Sequence, residues 1–306
     1  MRVLIPFTVK DSNLISSSIP ENDYPVWSSV TSYVAGDLVI STVTHRIYEA
    51  LQPSTNIDPT TDFSDPPYWL DIGATNRWKA FDQTISDPVT VPDGVNIIQY
   101  ELNSFGVPAN SVTLFGLKGR LTSLVVTDAT EGEVYNETIN LIDNALVNDW
   151  FTYFFEPARV KSEAIFEGIP PYANATYNIS VFDDTVNEPI LGQIVLGQEY
   201  ILGQTSYGTS VSIEDFSRKE RDAFGNAIIV ERPFAKLIDF DFVVNTNEVR
   251  RAAILLEQVR ATPAVYYAGP DTERFGTTVY GFYRSFSINL SGPAISNVTL
   301  EVEGLT

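Results

Sequence analysis

The chain has 306 residues, no cysteine, one histidine, and 39 Asp and Glu against 19 Lys and Arg, a formal charge of −20. Such a surface repels phosphate backbones and anionic lipid headgroups, so neither nucleic acid nor an anionic membrane is expected as a partner. Without thiols there are no disulfides, thiolate nucleophiles or zinc–thiolate sites.

In chain order, residues 1–24 read as a lead-in. "RVLIPFTV" has strand composition, and "KDSNLISSSIPENDYP" is a polar, Pro-bounded connector. The opening apolar run is too short for a secretory signal, and no later stretch reaches the roughly 18 apolar residues of a spanning helix. Synthesis in a cytoplasm without membrane insertion is the expectation.

Residues 25–82 form a compact segment with three of the four Trp, at Trp27, Trp69 and Trp78. "GDLVIS" and "HRIYEAL" are strands, and "QPSTNIDPTTDFSDPP" is loop chemistry throughout. So short a segment has a marginal core, to which a buried Trp contributes most.

Residues 83–185 alternate short Val/Ile/Thr/aromatic runs with Gly, Pro, Asn and Asp clusters. "GVNIIQYELN", "NSVTLFGL", "LTSLVVTD", "EVYNETINL", "DWFTYFFEP" and "ATYNISVFDD" all read as strands, the pattern of a β-sandwich of jelly-roll type.

Residues 186–306 read as α+β. Three Leu-Gly-Gln units place Gly192, Gly197 and Gly203 in a strand region, where glycine marks a bulge or the close approach of another backbone. Pairing there with a neighbouring subunit is the functional expectation, and a bulged sheet within one chain is the plain alternative. "AIIVERPFAKLIDFDFVV" reads as a pair of strands or one bent strand. "NEVRRAAILLEQVR" is the one helix, with Val249, Ala252, Ala253 and Leu256 on one face. Asn245 and Glu248 have the spacing of a capping box. Three strands close the chain. The fold class expected is therefore mainly β: a small domain, a sandwich, then α+β.

Catalytic signatures are sparse. His45, the only histidine, lies in a strand without a serine nucleophile signature near it. Asp183-Asp184, Asp239 with Asp241, and Glu214-Asp215 are acid pairs, but 39 acidic residues produce such spacings by chance. "FDDTVNE" and "NIDPTTDFSD" supply oxygen ligands without the twelve-residue calcium-loop pattern. No enzyme activity, metal or cofactor is expected.

Trp27, Tyr33, Gly36-Asp37, Val39, Tyr48, Ala50, Pro59 and Trp69 stand in the order found in the small chitin-binding modules of chitinases, which this segment resembles. The resemblance implies carbohydrate contact through Trp27, Tyr33, Tyr48, Tyr68, Trp69 and Trp78. One departure is Leu51-Gln52, where sugar-binding members carry an exposed aromatic pair for ring stacking. "WLDIGATNRWKAFD" resembles a stretch of bacteriophage tail proteins that bear such a module followed by a β-sandwich similar to the galactose-binding fold. The implied function is a structural component of a phage tail (tip, baseplate or fibre attachment) that forms a ring or trimer and docks other tail proteins in the virion. The alternative is a tail protein that binds a cell-surface glycan or polysaccharide during host adsorption.

Overall fold

The computed structural model describes residues 1–143, 149–155, 159–184, 188–221, 224–269, 276–290 and 292–305. The protein is mainly β, and the strand pairs of its two large sheets are antiparallel.

The larger sheet has ten strands. Its order begins Glu163–Phe166, Ser111–Phe115, Gln193–Ile201, Arg2–Pro6, Ala264–Tyr267. It continues through Val279–Asn289, Ile295–Gly304 and Phe234–Asn245, which carries both Gln204–Thr205 and Ser210–Asp215. The smaller sheet runs Gly132–Asn140, Leu121–Asp128, Thr176–Phe182, Ile97–Asn103, Leu14–Ser17. Two domain boundaries are thereby corrected. The lead-in strand Arg2–Pro6 sits in the middle of the large sheet, and "LISS" of the expected connector is an edge strand of the small one. The boundary at 185/186 separates strands that hydrogen-bond side by side, since Gln193–Ile201 pairs with Ser111–Phe115.

Alternation explains how one sheet serves two cores. Val3 and Leu4 point to opposite faces of their strand. Antiparallel partners share a face, so Val3 lies with Tyr200 and, two steps on, Gln198 and Leu196. On that face the small sheet covers one end, burying Tyr100, Leu124, Tyr177, Val112, Leu114 and Phe166 together. The helix Val249–Gln258 covers the other end, over Val3, Phe240, Phe242, Tyr266 and Leu300. Leu4, Phe115, Val195, Val265, Tyr267 and Tyr280 form a third cluster on the opposite face.

The helix buries Ala252, Leu255 and Leu256, with Ala253 half-buried and Val259 buried just past its end. The capping box does not form: Asn245 Nδ2 donates to Glu248 Oε2 at 3.3 Å, and a 3₁₀ turn, Thr246–Glu248, leads into the helix instead. "WFTYFF" is also corrected. Trp150–Phe155 is a short helix in the excursion between Ile142–Asp143 and Arg159–Val160, which pair only with each other. Its aromatic composition favours strand, but a helix satisfies its own backbone hydrogen bonds without a partner strand.

Candidate functional site: a protruding ribbon and its groove

The segment 25–82 is built on a small sheet of its own. Leu38–Ser41, Arg46–Ala50 and Trp69–Ala74 form a three-stranded sheet. Gly36 makes the entering turn at φ +92°, a left-handed value that favours glycine. Its N–H donates to Ala50 O at 2.7 Å, and the Asp37 carboxylate accepts from Val34 N at 2.7 Å. Trp69 donates its indole N–H to Ile57 O at 2.9 Å and meets Tyr33 edge-on, ring centroids 5.1 Å apart.

This geometry corrects the assignment of sugar contact. Tyr33, Tyr48, Trp69 and Trp78 are buried, and Trp27 and Tyr68 pack half-buried against the module core. The rings close the core and offer no ledge. Among the described residues, the module's exposed large apolar side chains are aliphatic apart from Phe63. Leu51, in place of the aromatic platform, is exposed with Leu70 and Ile72.

Trp78 belongs to a seam. It stacks on His45 at 4.1 Å, meets Phe81 at 5.6 Å, and Phe81 meets Tyr100 of the sandwich core at 5.6 Å. His45, at φ +56°, has Nδ1 2.9 Å from Glu21 Oε1, and Glu21 also accepts from Thr75 at 3.0 Å. The single histidine thus ties module to lead-in, and among the described residues its ring nitrogens face carboxylates, those of Glu21 and Asp11.

The acid pairs are likewise engaged. Arg120 bonds Asp184, Arg284 bonds Glu214, Lys219 bonds Asp215 and Ser210 bonds Asp239. Glu167 and Glu199 both contact Arg2 Nη1 at 2.7 Å, and Tyr267 donates to Glu199 at 2.5 Å. A guanidinium therefore fills the space where a substrate would separate two carboxylates. In "NIDPTTDFSD", Asp62 accepts from Tyr68 N at 2.6 Å and Trp69 N at 3.1 Å. Desolvation is the largest single influence and raises its pKa, but these bonds and those from Ser64 together outweigh it and hold the carboxyl below its ordinary value. It serves the loop's own backbone. "FDDTVNE" runs into residues 185–187, outside the described residues. Among the described residues no cluster of three His, Cys, Asp or Glu is arranged to hold a metal, and no helix is long and apolar enough to cross a membrane.

The glycines are also corrected. Gly197 is paired on both sides within the chain, to Pro6 and to Ser111, and a Cβ there would collide with Ile5 O. A Cβ on Gly203 would collide with Val243 O, and one on Gly192 would lie 2.9 Å from Ile85 O. Close backbone approach inside one chain requires these glycines, and a neighbouring subunit has no open edge at Gly197.

What remains open lies elsewhere. Ser210–Asp215 pairs with the start of Phe234–Asn245, from Ser210 opposite Asp239 to Asp215 opposite Phe234. Beyond Asp215 and Phe234, the same hairpin continues as Arg218–Arg221 against Ala227–Val230. The result is a ribbon over residues 210–239 whose base belongs to the large sheet, where Leu237, Ile238 and Asp239 also pair with Ile295–Gly304, and whose outer part is two-stranded. Every residue of Ser210–Asp215, Arg218–Arg221 and Ala227–Val230 is exposed, while Ala235 and Ile238 on the returning strand are buried. Ile213 is 64% exposed, Ile229 67% and Phe234 56%. Isolated two-stranded ribbons are marginal in water, so large apolar side chains on one signal a surface built to be covered. Ion pairs stiffen it: Lys219–Asp215 at 2.6 Å, Arg218–Glu220 at 2.6 Å, and Arg284–Glu214 at 3.5 Å to the main sheet.

At the ribbon's base lies an apolar groove of about 440 Å³. Ile85, Phe115, Tyr280 and Leu305 form one wall, and Val211, Ile213 and Phe234 of the ribbon form the other. Its charged pair is already occupied: Lys236 donates to Thr278 O at 2.7 Å and stands 3.7 Å from Glu163. Burial pushes the Glu163 carboxyl above its ordinary value, with Lys236 opposing. A second cavity of about 950 Å³ lies beside Gly203–Thr209, lined largely by small and backbone-exposing residues, with Glu248 as its carboxylate.

Comparison with family models, curated proteins and solved structures finds no match.

The ribbon escaped sequence reading because "SVSIED" and "AIIV" carry ordinary strand composition. Their one distinguishing signal is that "AIIV" is apolar at consecutive positions beside the charged run "RKERD". A strand in a one-sided sheet alternates.

Proposed function

We propose that the protein is a structural subunit of a bacteriophage tail (tip, baseplate or fibre attachment) that assembles as a symmetric oligomer and docks neighbouring virion proteins. The ribbon carries this reading: its outer part, Arg218–Arg221 against Ala227–Val230, exposes apolar residues on both faces of a strand and, among the described residues, pairs with no strand of the large sheet, the form of an assembly element. The setting in a tail rests on the resemblance of the segment from Trp27 to Asp82 to modules carried by tail proteins. The role is mechanical. A rigid two-core body presents the ribbon, and the module is a docking piece fastened through His45, Trp78 and Phe81. Light scattering of the purified chain at micromolar concentration tests it. The expected result is one discrete oligomer with the mass of a ring or trimer, and a stable monomer would overturn the reading.

A second reading, polysaccharide contact during adsorption, draws on a different observation. Trp150 is 79% exposed, and Phe151, Phe154 and Phe155 are exposed beside it, with Trp150 and Phe154 stacked at 6.3 Å. Such rings are suited to stacking on sugars. A polysaccharide pull-down in which Trp150→Ala loses binding would support it, and no binding by the native chain would remove it.

A further inference from the structure

We infer that the surface covering the outer ribbon is a second copy of this chain, whose groove between Ile85, Phe115 and Tyr280 receives the strand Ala227–Val230. This rests on the self-assembly reading above and names its contact.

Three observations carry it. The first is the strand itself. Side chains alternate across a strand, so Ile228 and Val230 face one way and Ile229 the other, and all three are exposed. Apolar residues on both faces are the mark of a strand enclosed on both sides. Among the described residues its one strand partner is Arg218–Arg221, which leaves both faces and an outer edge for another molecule.

The second is the groove. Its wall is apolar, and its Lys236 and Glu163 already satisfy each other and Thr278 O. Small-molecule sites hold a few free polar groups to orient the ligand, and this groove is better matched to aliphatic side chains. A strand of Ile and Val supplies them.

The third is charge. Residues 216–233 hold four Lys and Arg against three Asp and Glu, while the rest of the chain holds fifteen against thirty-six. The outer ribbon is thus near neutral and slightly basic, and the body is strongly acidic. Two bodies repel, whereas a ribbon and a body attract. An acidic partner of any other identity would have to compete with the copies that the chain itself provides.

Ribbon and groove are different surfaces, so the contact is head-to-tail. Repeated, such a contact closes into a ring or continues as a filament. Each subunit then gives one ribbon and receives one.

The absence of native cysteine makes the test direct. Ile229→Cys and Ser86→Cys are made in separate chains; both positions are exposed, and Ser86 lies at the groove. The two are mixed and treated with a flexible bismaleimide spanning about 10 Å, roughly two strand spacings. The expected result is a cross-linked dimer at least about fivefold above either variant alone, falling in 1 M salt as the charge attraction is screened. Ile229→Asp is the companion variant, expected to abolish the oligomer while thermal unfolding of the monomer is unchanged. If the oligomer forms but the mixture gives no excess cross-link, or if Ile229→Asp assembles normally, the ribbon-to-groove contact is wrong and self-assembly stands. If the native chain is monomeric, both fall.

Discussion

The module and the ribbon are both small β pieces attached to the same body, and they use apolar residues in opposite ways. The module turns Tyr33, Tyr48 and Trp69 inward around Val39 and Ala50 and shows water a mostly polar and aliphatic surface. The ribbon turns Ile213, Ile228, Ile229 and Phe234 outward and has no core of its own. The module encloses its rings in a core of its own, while the outer ribbon leaves its apolar side chains exposed. Aromatic-rich composition is therefore no mark of an open face here: in so small a domain the large rings are consumed in making a core.

This contrast can be broken most forcefully in the module. Trp69→Ala removes a buried indole and is expected to cost about 3–5 kcal/mol, enough to unfold the module. Hydrogen exchange should show lost protection in Arg46–Ala50 and Trp69–Ala74, with the oligomer mass unchanged. If the mass changes instead, the module takes part in assembly.

Gly197→Ala comes next. It sets a Cβ against Ile5 O at the centre of the large sheet, with an expected loss of about 1–3 kcal/mol, read as a lower urea midpoint. Assembly measured below that midpoint should be intact, because Gly197 lies inside the fold. In the ribbon the pattern reverses: Ile229→Asp should change monomer stability by no more than about 0.5 kcal/mol and remove the oligomer.

The smallest effect concerns the groove. Burial raises Glu163 above its ordinary value of 4.5. A carboxyl raised on folding favours its protonated form in the native state, so its contribution is greatest at low pH and declines as pH rises from about 4.5 through the folded value. Glu163→Gln should flatten that decline, seen as a smaller fall in urea midpoint between about pH 4.5 and 7. An unchanged slope would show that the groove keeps Glu163 well hydrated.

Much of the fold was legible because alternation and turn chemistry are local. Ile97–Asn103, Leu121–Asp128 and Thr176–Phe182 each announce themselves by residues at every second position. The helix follows from the spacing of Val249, Ala252 and Leu256. Partnership is not local. Nothing in "RVLIP" says that it lies between strands some 200 and 260 residues further on, and so the domain boundaries were misplaced. "WFTYFF" misled because strand propensity presumes a neighbouring edge. The glycines were read correctly as points of close approach, but the approaching backbone proved to be Ile5 and Val243 of the same chain.

The position of Arg2–Pro6 also sets the order in which the molecule is made. Its hydrogen-bonding partners begin near Gly197 and Ala264. At a synthesis rate of about 5–20 residues per second, the strand waits on the order of 10–50 s for them. The large sheet therefore closes only after the strands from Ala264 onward have emerged, and the base of the ribbon, which that sheet carries, is set at the same late stage. On the self-assembly reading, copies that have not yet closed this sheet have no finished groove to offer one another.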